Sequence, residues 1–246
     1  PHLFYISLYI MTYKIISDLH LGLKGSVSNN FKFNDGVFRK YLETSMRECD
    51  QIILNGDTFE LWEEFVHSRG TTLEDRINYQ TNQILDEWTF GDLLRDHSAI
   101  QIVSGNHDTA LRYHNKVINK EIRDRLILSS DHYRVFVAHG HQGDIFCSDT
   151  SCLSWLSCCA SQVKSTLEEL IDESLDEHVG KLSACLSTKD KNLTNYAFKL
   201  CEAGSYDAVI FGHTHHPLIK TKKHCIYAND GCVANSTDIL SECIVE

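Results

Sequence analysis

Proline is nearly absent, with two residues in 246, so chain reversals fall mainly to glycine, asparagine and aspartate. No run of about 20 apolar residues occurs, which argues against a membrane-spanning helix. The segment PHLFYISLYI ahead of Met11 is apolar but short. It has neither a basic leader nor a small-residue cleavage signal. Residues 1–10 therefore read as a non-native or disordered leader, and 11–246 as a single domain. Positive charge is also scarce: 23 Lys and Arg face 34 Asp and Glu, a formal charge of −11. No basic stripe of the kind a polyanion binder carries is visible, which counts against nucleic acid as a partner. Paired Cys-x-x-Cys motifs are missing, so a zinc ribbon is excluded. The ten cysteines are irregularly spaced in a chain too long for a disulfide scaffold. They read as mostly reduced, small buried hydrophobes of a cytoplasmic protein.

What is present is a hydrophobic fraction of 42%, enough for a sizeable core. Short apolar runs rich in β-branched residues recur at Ile15-Ile16, 51–55, 99–106, 133–140 and 207–213. Each has buried-strand character. Helical patterns occupy 35–48 and 73–96, the latter with Ile77, Ile84, Leu85, Trp88 and Leu93 at helical spacing. Strand–helix alternation predicts a layered α/β fold. A helical insertion is expected over about 145–203. Two short strands with a turn at Lys222-Lys223 should follow, then one or two more near the end.

The residues that end these strands carry the chemistry. The first run ends in Asp18-Leu19-His20, the second in Asn55-Gly56-Asp57 and the third in Gly105-Asn106-His107-Asp108. The fourth ends in His139-Gly140-His141 and the fifth in Gly212-His213-Thr214-His215. In extended chain, positions two apart share a face, so Asp18 and His20 should converge. Ligands of open α/β sheets sit beyond the carboxyl ends of the strands. Seven donors meet there: Asp18, His20, Asp57, Asn106, His139, His213 and His215. A mixed nitrogen and oxygen set without cysteine suits borderline-hard divalent ions. Seven are too many for one ion beside a water, and they suit two ions sharing a carboxylate. Asp57, central in chain order, is the natural bridge. Any one of these pieces alone would read as a turn, a cap or a surface pair.

The ordered set resembles the calcineurin-like metallophosphoesterase family over about residues 13–234. The resemblance implies a four-layer α/β/β/α sandwich. It implies two divalent cations, manganese foremost, with iron, zinc, nickel or cobalt as alternatives. Asp18 and His20 match the first motif, Asp57 the bridging aspartate and Asn106 the asparagine ligand. His107 matches the catalytic histidine, with Asp108 expected to orient its imidazole. His139 matches the penultimate histidine ligand, in preference to His141; His213 and His215 match the last pair. The implied activity is hydrolysis of phosphoester or pyrophosphate bonds.

"DLHLG" and "GDTFELW" are most similar to the branch containing UDP-2,3-diacylglucosamine pyrophosphatases. The sequence departs from that branch in carrying His107 where arginine is common, and in "HGHQGD". The implied partners are a phosphorylated small molecule, a nucleotide or a nucleotide-sugar, with peripheral membrane contact if the substrate is lipid-linked. The insertion would then supply a substrate cap, whose Phe146, Leu153, Trp155 and Leu156 could hold an acyl chain or simply pack. Trp62 and Glu63 could line the pocket or pack. The alternatives are a catalytically idle metal-site scaffold that binds proteins and a nuclease of the same fold.

Overall fold

The computed structural model describes residues 11–26, 29–61, 72–143, 176–234 and 242–245, with backbone alone for 176–188. Trp62, Glu63, Phe146, Leu153, Trp155, Leu156 and five of the cysteines (Cys147, Cys152, Cys158, Cys159 and Cys185) lie outside the residues whose side chains are described, as does the leader.

Two five-stranded sheets are stacked. In the first, β1 (Tyr13–Ile16), β2 (Gln51–Asn55), β3 (Ile100–Val103) and β4 (Ile122–Arg123) are parallel neighbours. The second orders β5 (Arg125–Ser129), β6 (Arg134–Ala138), β7 (Ala208–Phe211), β9 (Cys225–Asn229) and β8 (Leu218–Lys222). There β6, β7 and β9 are parallel, while β5 and β8 form antiparallel edges. β10 (Cys243–Val245) closes the first sheet by pairing antiparallel with β1, Ile15 opposite Cys243.

Side-chain alternation builds the layers. Ile16, Ile52, Leu54, Ile100 and Ile102 point outward beneath α1 (Asp35–Glu48), α2 (Leu73–Glu87) and α3 (Gly91–Asp96), meeting Phe38, Leu42, Ile77, Ile84 and Leu94. Ile15, Ile53 and Val103 point the other way and pack on Leu126, Leu128, Val135, Val137 and Ile210 of the second sheet. The far face of that sheet is covered by α5 (Asp176–Gly204), through Leu193, Ala197, Phe198 and Cys201. The short helix α4 (Leu111–His114) follows β3. Helix, sheet, sheet and helix give the expected four layers. Strands buried on both faces read as continuous apolar runs, which is why the sequence shows them so clearly.

Two expectations are corrected. The helix over 73–96 is two helices, broken at Trp88-Thr89-Phe90. Trp88 turns inward, where its indole N–H donates to the Gly22 carbonyl (3.0 Å) and its ring packs edge-on against Phe31. The Thr89 N–H goes to Asp35 Oδ1 (3.1 Å) instead of continuing the helix. The β8–β9 turn sits at Lys223-His224, since Lys222 already pairs with Cys225 and Lys223 takes a positive φ of 56°. The strands β4 and β5 escaped notice: β4 has two residues, and β5 alternates buried and exposed positions next to charged neighbours.

The cysteines were expected to be mostly reduced, and among those described three are thiols and two are bridged. Cys201 on α5 and Cys225 on β9 form a disulfide, while Cys49, Cys232 and Cys243 are thiols. The bridge pins the outer helix to its sheet across 24 residues. The chain-entropy model assigns such a loop about 3 kcal/mol. Cys201→Ser with Cys225→Ser is therefore expected to lower the melting temperature by roughly 6–12 °C, at about 2–4 °C per kcal/mol for a chain of this size. Differential scanning calorimetry of oxidised and doubly substituted protein checks this; equal melting temperatures would show that the bridge constrains nothing. No helix among the described residues is long and apolar enough to cross a membrane.

Candidate metal centre

The β1–β2 pairing continues past the strand ends. Asp18 N–H donates to Gly56 O (3.1 Å), His20 N–H to Asp57 O (2.8 Å), Leu21 N–H to Thr58 O (3.0 Å) and Glu60 N–H to Leu21 O (2.9 Å). This paired continuation forms a rim beyond the carboxyl end of the sheet. The second sheet meets it there. Gly212 N–H donates to His139 O (3.0 Å), Asp230 N–H to Phe211 O (2.9 Å) and Ala234 N–H to Asp18 O (2.9 Å).

The convergence is not achieved by extended backbone. Asp18, His20, Asp57, His213 and His215 all adopt left-handed φ between 48° and 70°. Among the described residues only Ser205 and Lys223 join them outside glycine. Aspartate tolerates this region better than most residues and histidine is enriched there, yet each instance costs free energy that surrounding structure must hold in place. Asp18 and His20 thus reach the same point through a tight loop with Leu19 fully buried between them. Gly56, at φ 90°, lies so close to the His139 ring that any Cβ would overlap it.

Donor atoms gather in three overlapping groups: Asp18 with His20 and His215; His20 with Asp57 and His107; and Asp57 with His139 and His213. His215 Nε2 is 3.1 Å from Asp18 Oδ1, and His139 Nε2 is 3.1 Å from Asp57 Oδ2. His20 Nε2 is 3.7 Å from Asp18 and 3.8 Å from Asp57. Asp57 belongs to two groups and so joins them. Asn106 is buried, and its Oδ1 has no hydrogen-bond partner. The His107 N–H beside it donates to Asp57 Oδ1 (2.9 Å), which brings the loop after β3 to the same spot. His139 Nδ1 faces the Asn55 carbonyl at 3.0 Å, leaving Nε2 for the centre. His141 is buried in the turn His141–Gly143, its ring 5.5 Å from that of His139, and it is in none of the three groups.

Electrostatics within the centre are those of carboxylates facing imidazoles. Burial opposes ionisation of Asp18 and Asp57, but the adjacent histidines outweigh it and hold both well below the usual carboxylate range. Burial likewise opposes protonation of His139 and His215, yet Asp57 and Asp18 push them up to about 9 and about 10. Without a cation, protons on the imidazoles balance the acids. A buried orphan acceptor on Asn106, four further imidazoles and two carboxylates at ligand spacing fit a divalent-cation site in both chemistry and charge.

The structure reassigns one residue and adds two. Asp108 does not serve as the orienting partner expected for His107. Its Oδ1 accepts from Gly105 N–H (2.7 Å), and its Oδ2 from Thr58 N–H (2.8 Å) and Phe59 N–H (3.2 Å), so it ties the β2 and β3 loops together. Burial and the charge of Asp57 push it up to about 6. The partner of His107 is Glu60, unforeseen in the sequence, 2.7 Å from Nδ1. A lone acid in the run Phe59-Glu60-Leu61-Trp62 was the available signal, because an acid among apolar residues is seldom buried without a partner. The second addition is Asp230, 2.7 Å from Ser17 Oγ, which in turn bonds Asp18 Oδ2. Burial and the Asp18 charge push Asp230 up to about 8, so it holds a proton at neutral pH.

Two stacked sheets with a histidine–carboxylate rim define a metallophosphoesterase type of architecture. The chain belongs to the calcineurin-like phosphoesterase superfamily, whose domain matches residues 11–245. A search of curated proteins found no match. Among solved structures, the chain is similar to a phosphoesterase predicted in Streptococcus pneumoniae, at 12% identity and TM-score 0.43, covering 96% of this chain and 83% of that one. It is similar to an archaeal phosphodiesterase at 18% identity and TM-score 0.42, covering 96% and 93%. The Vps29 protein of Entamoeba histolytica, complexed with zinc, matches at 14% identity and TM-score 0.39, covering 90% and 74%.

Proposed function

We propose that this protein is a phosphohydrolase that cleaves phosphoester or pyrophosphate bonds with the help of two divalent cations, manganese foremost. The observation that carries the reading is the chain of three donor groups, the first two sharing His20 and the last two sharing Asp57, which sets Asp57 between the two ends of the cluster as a shared ligand requires. Asp18, His20 and His215 would hold one ion; Asn106, His139 and His213 the other; Asp57 would serve both. When bound, such cations acidify a water and neutralise phosphate oxygens.

The remaining chemistry falls to His107. Its side chain is about one quarter exposed at the edge of the cluster, with Nδ1 turned to Glu60 and Nε2 3.9 Å from Asp57 Oδ2. Burial would drive its proton off, but Glu60 and Asp57 outweigh this and raise its pKa. This favours the protonated form, from which His107 would give a proton to the departing oxygen. The substrate class proposed is a phosphorylated small molecule, nucleotide or nucleotide-sugar. The resemblance of "DLHLG" and "GDTFELW" to the diacylglucosamine pyrophosphatase branch favours the last.

His107→Gln is expected to lower turnover about 10²-fold, the lower end for a general acid, with metal content unchanged. Manganese-dependent hydrolysis of bis-p-nitrophenyl phosphate and of the monoester, beside elemental analysis, checks both statements. Loss of metal in that variant would remove His107 from the acid role. Metal binding without hydrolysis of either ester, or of a nucleotide-sugar panel, would favour a scaffold.

A further inference from the structure

A second concave site lies away from the metal centre. The chain passes from the first sheet to the second at Asp124, between β4 and β5. Both are edge strands, so the seam between the sheets opens to one side. There β4, β5 and α4 border a cavity of about 460 Å³, within the roughly 300–1,000 Å³ of small-molecule sites. None of the residues in the three donor groups lines it.

Three arginines do line it, in a chain whose formal charge is −11. Arg125 is exposed and makes no ion pair or side-chain hydrogen bond among the described residues. Strand alternation turns it outward with Ile127, which is 47% exposed, while Leu126 and Leu128 are buried. Arg123 Nε and Nη2 share one Glu121 oxygen (2.9 and 2.7 Å), which leaves Nη1 of the fork. Arg112 Nη2 stands 3.7 Å from Asp124 Oδ2, beyond hydrogen-bond reach. Its guanidinium lies 5.3 Å from the centroid of the Tyr113 ring, and Tyr113 itself is 69% exposed.

We infer that this cavity is a second binding site, for an organic phosphate of the nucleotide class: Arg112, Arg123 and Arg125 take the phosphate, and Tyr113 and Ile127 flank the ring. The guanidinium fork matches phosphate oxygens two at a time. Three such groups against the carboxylates of Glu121 and Asp124 leave one positive charge over, which favours an anion. A bare phosphate would leave the aromatic and apolar walls without a partner, whereas a base stacks on an aromatic face whatever its identity. Glu121 and Asp124 only accept hydrogen bonds when ionised. They suit the hydroxyls of a ribose and the amino and imino groups of a base.

Calorimetric titration of chelator-treated and of zinc-loaded protein with AMP and UMP tests this, with adenosine, uridine and inorganic phosphate beside them. One of the nucleotides should bind the chelator-treated protein at a single site, with its nucleoside and phosphate at least about tenfold weaker, as the loss of a hydrogen bond to a charged group implies. The zinc-loaded protein should keep that site, beside any binding at the metals. Arg123→Gln with Arg125→Gln alters two exposed side chains and should weaken the nucleotide by about tenfold or more, leaving melting temperature and zinc affinity unchanged. Tyr113→Ala should weaken the nucleotide and leave inorganic phosphate as it was. Failure of both nucleotides to bind would overturn the inference, as would binding that vanishes on chelation, phosphate as tight as the nucleotide, or undiminished affinity in the double variant. None of these readouts uses hydrolysis, so a protein that binds nucleotide here and cleaves no ester would sink the assigned activity and leave this site standing.

Discussion

Asp57→Asn is expected to reduce hydrolysis by about 10⁴-fold, equivalent to about 5.5 kcal/mol of transition-state stabilisation, while the fold survives. Asparagine is among the residues that tolerate the left-handed φ of 48° found here. Its Oδ1 can still accept the His107 N–H now bonded at 2.9 Å. What disappears is the charge on Oδ2, which lies 3.1 Å from His139, 3.8 Å from His20 and 3.9 Å from His107. The amide that replaces it donates to His139 Nε2, whose other nitrogen is committed to the Asn55 carbonyl. A neutral donor at the shared position repels a cation and occupies a ligand lone pair. Metal content should fall together with kcat/KM, and circular dichroism should stay that of the wild type. A variant within tenfold of wild type would mean that Asp57 is not shared between ions and that the proposed centre is wrong.

The fold was legible where strands are buried on both faces. β1, β2, β3, β6 and β7 each stand out as an apolar run closed by a polar residue, because both of their surfaces meet other layers. β5 was less legible because only Leu126 and Leu128 are buried, while its other face turns Arg125, Ile127 and Ser129 to solvent. The helix break at Trp88 depends on an indole bond to Gly22, a contact 66 residues away. Helical spacing carries no trace of it. The disulfide was hidden for the same reason, since Cys201 and Cys225 are brought together only by packing α5 on β9.

The site shows the converse. The strand-end motifs pointed to residues that do meet, but the two-residue spacing of Asp18 and His20 suggested extended chain where the backbone is left-handed. Glu60 was missed because its importance lies in bridging His20 and His107, residues 40 and 47 positions away. Asp108 was misassigned because adjacency in sequence to His107 does not make contact. Its oxygens reach back to the amides of Thr58 and Phe59, which hold the Asp57 turn. Sequence spacing thus indicates which residues reach a rim, while supporting contacts are set by the other sheet and by loops.

The stabilisation that added manganese or zinc gives should grow with pH, by on the order of 10 °C in melting temperature between pH 6 and pH 8. The metal-free centre keeps protons on His139 and His215, with pKa values about 9 and about 10; an unfolded histidine titrates near 6.5. These are raised values, so their stabilising contribution is complete below about pH 6.5. It is lost progressively as pH climbs through 9 to 10, where the folded state must also release its protons. Asp230, raised to about 8, erodes metal-free stability in the same direction up to about pH 8. Cations require the imidazoles neutral, so binding displaces those protons. Two displaced protons over two pH units correspond to about 10⁴-fold in apparent affinity, or about 5.5 kcal/mol. At about 2–4 °C per kcal/mol that is a shift visible by calorimetry with and without metal at each pH. Acid works against the centre from the other side: Asp18 and Asp57, held low, contribute stability above about pH 4 that disappears as they protonate. A metal-induced shift identical at pH 6 and pH 8 would show that no imidazole proton leaves on binding and that His139 and His215 are not ligands.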